Sequence, residues 1–221
     1  MEKTNLKPFV KWAGGKRQLI PQMKKFFQFD EKIKKYAEPF IGGGAVLFYL
    51  LENVAFEKIF ICDVNSELIN CYREIRDDVE NLISRLNLLE QKFFQATDQK
   101  YFFEEQRNLF NDGKKSSDIF IFLNRTCFNG LYRVNSRGKF NVSFGRYKNP
   151  KICDSENLRQ LSKILQQVEI CVGDYHISSN FIDSSTFVYF DLPYRTLNAT
   201  SIFTSYTEKN FDDDDQENLA K

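Results

Sequence analysis

The apolar positions of the chain follow two rhythms, and each change between them marks an element. Tyr36 to Phe40 is a short predicted strand that runs into three glycines, Gly42-Gly43-Gly44. Ala45 to Leu51 then has helical spacing, and Lys58 to Asp63 reads as a buried strand closed by an acid. Strand, glycine turn, helix and strand in that order make a βαβ unit. Ahead of it, Lys16 to Phe29 carries Leu19, Ile20, Met23, Phe26 and Phe27 at a helical period. Asn65 to Phe110 is mostly helical and acidic, and reads as the start of an inserted lobe. Asp118 to Thr126 predicts another short helix. Tyr132 to Gly145 alternates around Arg137-Gly138, which predicts a β-hairpin. Asp154 is placed to N-cap a helix reaching about Gln167. Val168 to Cys171 and Thr186 to Phe190 are short apolar strands, followed by Asp174 beyond Gly173 and by Asp191. The acidic run Asp212 to Asp215 predicts the opening of a last helix.

A chain of 221 residues is long enough for one sizeable core and a smaller lobe. No apolar run approaches the roughly 18–20 residues of a membrane span, and the N-terminus lacks the apolar core of a secretion signal. The five cysteines (Cys62, Cys71, Cys127, Cys153, Cys171) are odd in number and have no CxxC spacing, so they read as the reduced thiols of a cytoplasmic protein. The net charge of +1 hides an asymmetry. Residues 1–35 hold ten Lys/Arg against three acids, a balance of +7, and residues 113–151 hold nine against one, a balance of +8. Residues 52–112 hold thirteen acids against seven bases, a balance of −6. Two basic regions around an acidic one suggest a polyanion bound on one face.

Three places carry candidate chemistry. Glycines between a strand and a helix let the backbone approach a ligand. The dinucleotide pattern fails here, because Leu47 stands at the third glycine position; the Walker pattern fails too, with Val10 at its first glycine and Arg17 in place of Ser/Thr. Asp63 ends the next strand, 19 residues after Gly44, where an acid can bind ribose hydroxyls or cap the following helix. A nucleoside cofactor without a phosphate code points to S-adenosylmethionine. Asp191-Leu192-Pro193-Tyr194 sets an acid, a rigid turn and an aromatic ring at a strand's carboxyl end. Methylation of an aromatic amine needs such a set. A carboxylate and a carbonyl that accept its two N–H bonds free the lone pair for attack, and a ring can stack on an extruded base. Asn124 to Pro150 interleaves Arg125, Arg133, Arg137, Lys139, Arg146 and Lys148 with Phe128, Tyr132, Phe144 and Tyr147, as a β-ribbon entering a major groove would. His176 is the only histidine, with neither HxE nor PCxxC around it, which excludes a zinc deaminase; no metal site is expected. No cysteine follows a proline, which argues against the nucleophile of cytosine-C5 methyltransferases.

Several blocks occur together and in order: Phe9-Val10-Lys11-Trp12-Ala13-Gly14-Gly15-Lys16, Glu38-Pro39-Phe40-Ile41-Gly42-Gly43-Gly44-Ala45-Val46, Asn124-Arg125 with Asn129-Gly130-Leu131-Tyr132-Arg133, Gly138-Lys139-Phe140-Asn141-Val142 with Phe144-Gly145-Arg146-Tyr147-Lys148, and Asp191 to Tyr194. They closely resemble the Dam-type (D12 class) DNA adenine methyltransferases from residue 7 onwards. The resemblance implies an α/β fold, with a Rossmann-like S-adenosylmethionine-dependent methyltransferase sheet over residues 1–64 and 165–221. It also implies a mostly helical DNA-recognition lobe over residues 65–164 that carries the hairpin. Trp12, Lys16, Asp63 and Asp191 match positions that contact S-adenosylmethionine, with Phe40, Gly42 and Gly44 of the glycine turn beside them. Asp174 and Tyr175 match the pair near its adenine. Lys11, Leu131, Arg133, Arg146 and Tyr147 match the DNA-reading positions of members specific for GATC, and Arg137 and Asn141 lie in the same hairpin. Asp191, Leu192, Pro193 and Tyr194 would form the catalytic motif, although the family has proline at the position of Leu192.

The activity so implied is methyl transfer to the exocyclic amine of adenine in double-stranded DNA, by a monomer, in a restriction–modification system with a cognate endonuclease or in a housekeeping role. Family chains continue past the helix near Phe211, so the last strands of the sheet are expected to be missing and turnover to be low. A weak remnant that binds DNA or cofactor, or a methyltransferase acting on RNA or protein, are the competing readings.

Overall fold

The computed structural model describes residues 6–192; Pro193, Tyr194 and the predicted helix at Asp212 to Asp215 lie outside them. Four strands, β1 (Lys35–Glu38), β2 (Lys58–Asp63), β3 (Val168–Val172) and β4 (Thr186–Val188), form one parallel sheet in the order β3-β2-β1-β4. The helices in chain order are α1 (Ile20–Met23), α2 (Ala45–Asn53), α3 (Ser66–Asp77), α4 (Val79–Gln95), α5 (Gln99–Asn111), α6 (Ser117–Thr126) and α7 (Ser155–Leu165). The fold is therefore α/β with a parallel sheet, as the alternation of strands and helices predicts.

Local chemistry explains most boundaries. Four consecutive apolar residues of β2, Ile59 to Cys62, are all buried, as expected of a parallel strand covered on both faces. Helix α3 starts where the Asn65 side chain accepts the Leu68 N–H at 2.8 Å, and α5 where Asp98 accepts from Tyr101 at 3.0 Å. Helix α3 is braced against β3, because the Arg73 and Arg76 guanidinium groups donate to the Ile170 and Val168 carbonyls at 3.0 and 3.1 Å. One continuous core runs from Tyr36, Leu47 and Ile61 at the sheet to Phe93, Phe103 and Phe122 among the later helices. The opposite sheet face has a smaller cluster, Ala37, Phe60 and Cys62, under Phe181, Ile182 and Val188.

Two predicted elements are broken. Lys16 to Phe29 is not one helix but a 3₁₀ turn (Lys16–Gln18), the single turn α1, and a second 3₁₀ turn (Lys24–Phe26). Pro21 has no N–H to give the preceding turn, and its ring would meet the carbonyl four residues back. The chain then leaves helical geometry at Phe27 so that Phe27 and Phe29 pack on Phe187 of β4, 6.2 and 4.6 Å between ring centroids. The predicted hairpin shrinks to isolated antiparallel bridges, Val134 with Phe140 and Cys127 with Phe144. Backbone bonds cross it from the Asn135 N–H to the Lys139 carbonyl and from the Asn141 N–H to the Arg133 carbonyl, and asparagine side chains supply the rest. Asn111 of α5 donates to the Phe140 carbonyl and accepts its N–H, at 3.0 and 2.8 Å. Asn135 accepts from the Arg137 and Lys139 N–H groups at the tip.

The segment before α1 is tied to the end of α6. The buried Asn124 side chain accepts the Lys11 N–H at 2.7 Å and donates to the carbonyls of Lys11 (2.8 Å) and Gly130 (3.0 Å). Arg125 donates to the carbonyls of Phe9 and Pro8. Asn124→Ala would strand three backbone groups, the half-buried N–H and carbonyl of Lys11 and the buried carbonyl of Gly130, and is expected to cost about 1–3 kcal/mol. Urea denaturation should show a lower midpoint at unchanged slope; an unchanged midpoint would mean that water replaces the side chain without loss.

Candidate active site

From β1 the chain moves to one side, to β2 and then β3, and afterwards returns past β1 to place β4 on its other flank. The strand order thus reverses between β1 and β4, and the crevice beyond the carboxyl ends at such a point is where open α/β sheets bind ligands. Glu38 ends β1 there, and Asp191 lies three residues beyond β4, whose continuation is held by the Tyr189 N–H on the Ala37 carbonyl at 2.9 Å.

Lys16 closes the crevice. Its ammonium contacts the Asp191 carboxylate at 2.5 Å and the Gly14 carbonyl at 2.8 Å. Burial raises the pKa of half-buried Asp191, and the Lys16 ammonium opposes that shift. Glu38 is only 2% exposed and accepts from the Tyr36 hydroxyl at 2.6 Å. Desolvation pushes its pKa up to about 8, against the Tyr36 hydrogen bond, with the Asp191 charge adding to the rise. At neutral pH Glu38 is therefore largely protonated. Nothing in the sequence singles it out beyond its place before Pro39.

The glycine turn lies against Trp12. Gly42 and Gly44 have φ of +46° and +71°, conformations in which a side chain is strained. A Cβ on Gly42 would lie 2.8 Å from Trp12 Cδ1, and one on Gly44 would overlap the Tyr72 hydroxyl. That hydroxyl donates to the Gly42 carbonyl at 3.0 Å. Asp63, half-buried at the end of β2, accepts the N–H groups of Gly42 (3.1 Å) and Asn65 (2.9 Å). Burial raises its pKa and these N–H groups counter the shift. Across from it, Gly173 donates to the Asp63 carbonyl at 3.0 Å, which brings Asp174 and Tyr175 to the same edge. The Tyr175 ring stacks on Phe40, centroids 6.0 Å and planes 27° apart, and Phe190 tilts on Phe40 from the β4 side. Asp174 itself caps the following turn, accepting the His176 N–H at 2.9 Å, with His176 Nδ1 3.2 Å away.

Trp12, Lys16, Phe40, Gly42, Gly44, Asp63, Asp174, Tyr175 and Asp191 thus share the carboxyl end of the sheet. The crevice combines an aromatic pair, a carboxylate at a strand end, a close-packed backbone turn and a cation, a donor set that suits a nucleoside bearing a charged amino-acid tail. Leu192 is half-buried beside Asp191. Among the described residues no group of three or more His, Cys, Asp or Glu is placed to hold a metal, and no helix is long and apolar enough to cross a membrane. Cys62, buried beside the crevice, has its thiol pushed up to about 12 by burial, so it is not a thiolate at neutral pH.

The basic residues gather elsewhere. The Lys11 ammonium sits 4.1 Å over the Tyr147 ring. Arg133 Nε donates to Asn141 Oδ1 at 2.7 Å, which fixes the guanidinium plane. Arg137 is exposed at the turn tip. Arg146 is exposed and has φ of +55°, a left-handed conformation rare for arginine. Leu131 is half-buried, its carbonyl accepting from the Cys127 thiol. Lys11 to Lys16 therefore touches the basic region at one end and Asp191 at the other.

Residues 12–221 match the family model described as D12 class N6 adenine-specific DNA methyltransferase. The chain is 50% identical to a type II methyltransferase, M.MjaIII, of Methanocaldococcus jannaschii, over 98% of this chain and 78% of that protein. It is 43% identical to the type II methyltransferase M1.LlaDCHI of Lactococcus lactis subsp. cremoris, covering 98% of this chain and 76% of that one. It is 33% identical to the DNA adenine methylase of Escherichia coli (strain K12), covering 96% and 74%.

The raised pKa of Glu38 has a consequence for stability. A carboxyl with a folded pKa of about 8, against an ordinary 4.5, favours the folded state fully below pH 4.5 and loses that contribution as pH rises through 8. Between these limits Glu38 should remove up to about 1.4 kcal/mol of stability per pH unit. Glu38→Gln is expected to flatten this slope in urea melts at pH 5, 6.5 and 8. Parallel curves for variant and wild type would show that Glu38 is ionised in the folded protein.

Proposed function

The chain belongs to the D12 class of N6 adenine-specific DNA methyltransferases, and on that premise we propose that it methylates adenine in duplex DNA at a GATC-type site, with S-adenosylmethionine as donor. The observation that carries this reading is the meeting of the Lys16–Asp191 pair, the glycine turn and Asp63 at the reversal of strand order. Residues 65–164 are proposed as the DNA-recognition lobe, and 1–64 with 165–221 as the catalytic domain.

In this reading Asp63 takes the ribose hydroxyls with the lone pairs that its backbone donors leave, Asp174 and Tyr175 lie near the adenine ring, and Phe40 backs Tyr175 in a stack. Gly42 and Gly44 keep the turn close enough for backbone contact, while Lys16 neutralises a carboxylate. Bound S-adenosylmethionine supplies an electrophilic methyl on a sulfonium. Asp191 accepts one N–H of the target amine and the carbonyl of Leu192 the other, which draws the nitrogen towards the pyramidal form that can attack. Pro193 and Tyr194, outside the described residues, complete the motif in sequence. On the lobe, Arg133 held by Asn141 is positioned to read guanine through two parallel hydrogen bonds. Lys11, Leu131, Arg137, Asn141, Arg146 and Tyr147 supply the remaining DNA contacts.

Asp191→Ala is expected to lower methyl transfer by at least about a hundredfold, the usual cost of a positioned transition-state partner, while specific DNA binding stays largely intact. A transfer assay beside filter binding checks this, and equal loss in both would contradict the assignment. Arg133→Ala should cost about 1–3 kcal/mol on the target sequence and relax discrimination at one base pair. Lys148→Ala should weaken all duplexes alike and reduce the salt slope by about 0.9. An unchanged ratio of affinities for target and scrambled duplexes in Arg133→Ala would remove Arg133 from the readout.

A further inference from the structure

Resting on that reading, we propose that Tyr132 is a positioning residue that couples recognition of the DNA sequence to binding of the cofactor, through the stack of its ring on Trp12. Tyr132 stands between Leu131 and Arg133, both proposed to meet DNA, yet its own side chain turns inward and is 6% exposed. Its ring lies 5.8 Å from Trp12 with the planes 17° apart. It also touches Phe120 of α6 at 5.3 Å, and Phe140 of the opposite arm of the turn at 5.8 Å. Any shift of the arms as Arg133 engages a base is therefore felt by this ring.

Trp12 passes the shift onward because it has no slack on its other contacts. The glycine turn abuts it so closely that a Cβ on Gly42 would come within 2.8 Å of Trp12 Cδ1, and one on Gly43 within 3.2 Å of Trp12 Cβ. Gly42 in turn donates to Asp63, the proposed ribose ligand. The second donor to Asp63 is the Asn65 backbone N–H, at the start of α3. One route thus runs from the Tyr132 ring through Trp12 and Gly42 to the Asp63 carboxylate. A close-packed interior transmits displacement between discrete arrangements and does not absorb it. Rigid stacked rings have few internal motions in which to lose it.

The test is calorimetric titration of S-adenosylmethionine into the full chain: alone, with a saturating duplex carrying the methylated sequence, and with a scrambled duplex. For wild type the target duplex should raise cofactor affinity about tenfold over the scrambled one, within the usual range of coupling between sites. Tyr132→Phe should keep that ratio. Tyr132→Leu, which retains apolar bulk but loses the stack, should bring it to about one while cofactor and duplex each still bind alone within about threefold of wild type. If Tyr132→Leu lacks a cooperative melt, Tyr132→Met carries the same test. The proposal is overturned if wild type binds both ligands without coupling, or if the unstacked variant keeps the wild-type ratio. A wild-type chain that binds neither ligand would instead refute the proposed function.

Discussion

The candidate site depends on a short parallel ladder. Strand β4 pairs with β1 through three residues, Lys35 with Thr186, Tyr36 with Phe187 and Ala37 with Val188, and Asp191 hangs from its end. Three pairs of a parallel ladder hold little by themselves. The strand is fixed instead by side chains at its start and its middle. At its start, Lys35 binds Asp183 at 2.6 Å and the Phe181 carbonyl. At its middle, Phe187 wedges between Tyr36, Phe27 and Phe29, with centroids 4.6 to 6.2 Å apart. The broken helical segment before β1 is thus a requirement of the site. A continuous helix from Lys16 could not both present Lys16 to Asp191 and turn Phe27 and Phe29 under β4.

The sheet and most helix starts were legible in the sequence because their signals are local. The buried run Ile59 to Cys62 and the glycine turn after β1 act within a few residues, whereas the cap expected of Asp63 falls to Asn65, and Asp63 accepts the Asn65 N–H instead. The break at Lys16 to Phe29 was less legible. Its helical period is real, but Pro21 and the pull of β4 override it, and β4 lies more than 150 residues further on. The turn at 134–140 was over-read for a similar reason. Alternation predicts a full ladder, whereas only a few backbone bonds cross the turn and the Asn111 side chain takes the Phe140 N–H and carbonyl, and no pattern within the segment announces a partner on α5. Glu38 has no role in the sequence reading, and Tyr132, expected among the aromatics of a groove-binding ribbon, is turned inward on Trp12, because burial and stacking are properties of the fold alone.

The electrostatics of the crevice fit amine methylation better than any single residue does. Asp191 and Glu38 are near neighbours, and two ionised carboxylates there would repel each other at low dielectric. The structure separates their tasks. Glu38, fully buried and served by one hydroxyl, keeps its proton to about pH 8. Asp191, half-buried and bound by an ammonium, has a partner that favours its ionised form. Burial raises both pKa values, but only Asp191 has an ammonium that opposes the rise, and such differences of environment are how one site gives two acids different tasks. A cationic donor entering such a crevice meets the Asp191 carboxylate, already shared with Lys16, while Glu38 lies buried behind it. In the proposed reading, Glu38 then stays a neutral hydrogen-bonding neighbour behind the crevice, and Asp191 is left as the carboxylate that Lys16 holds for the amine.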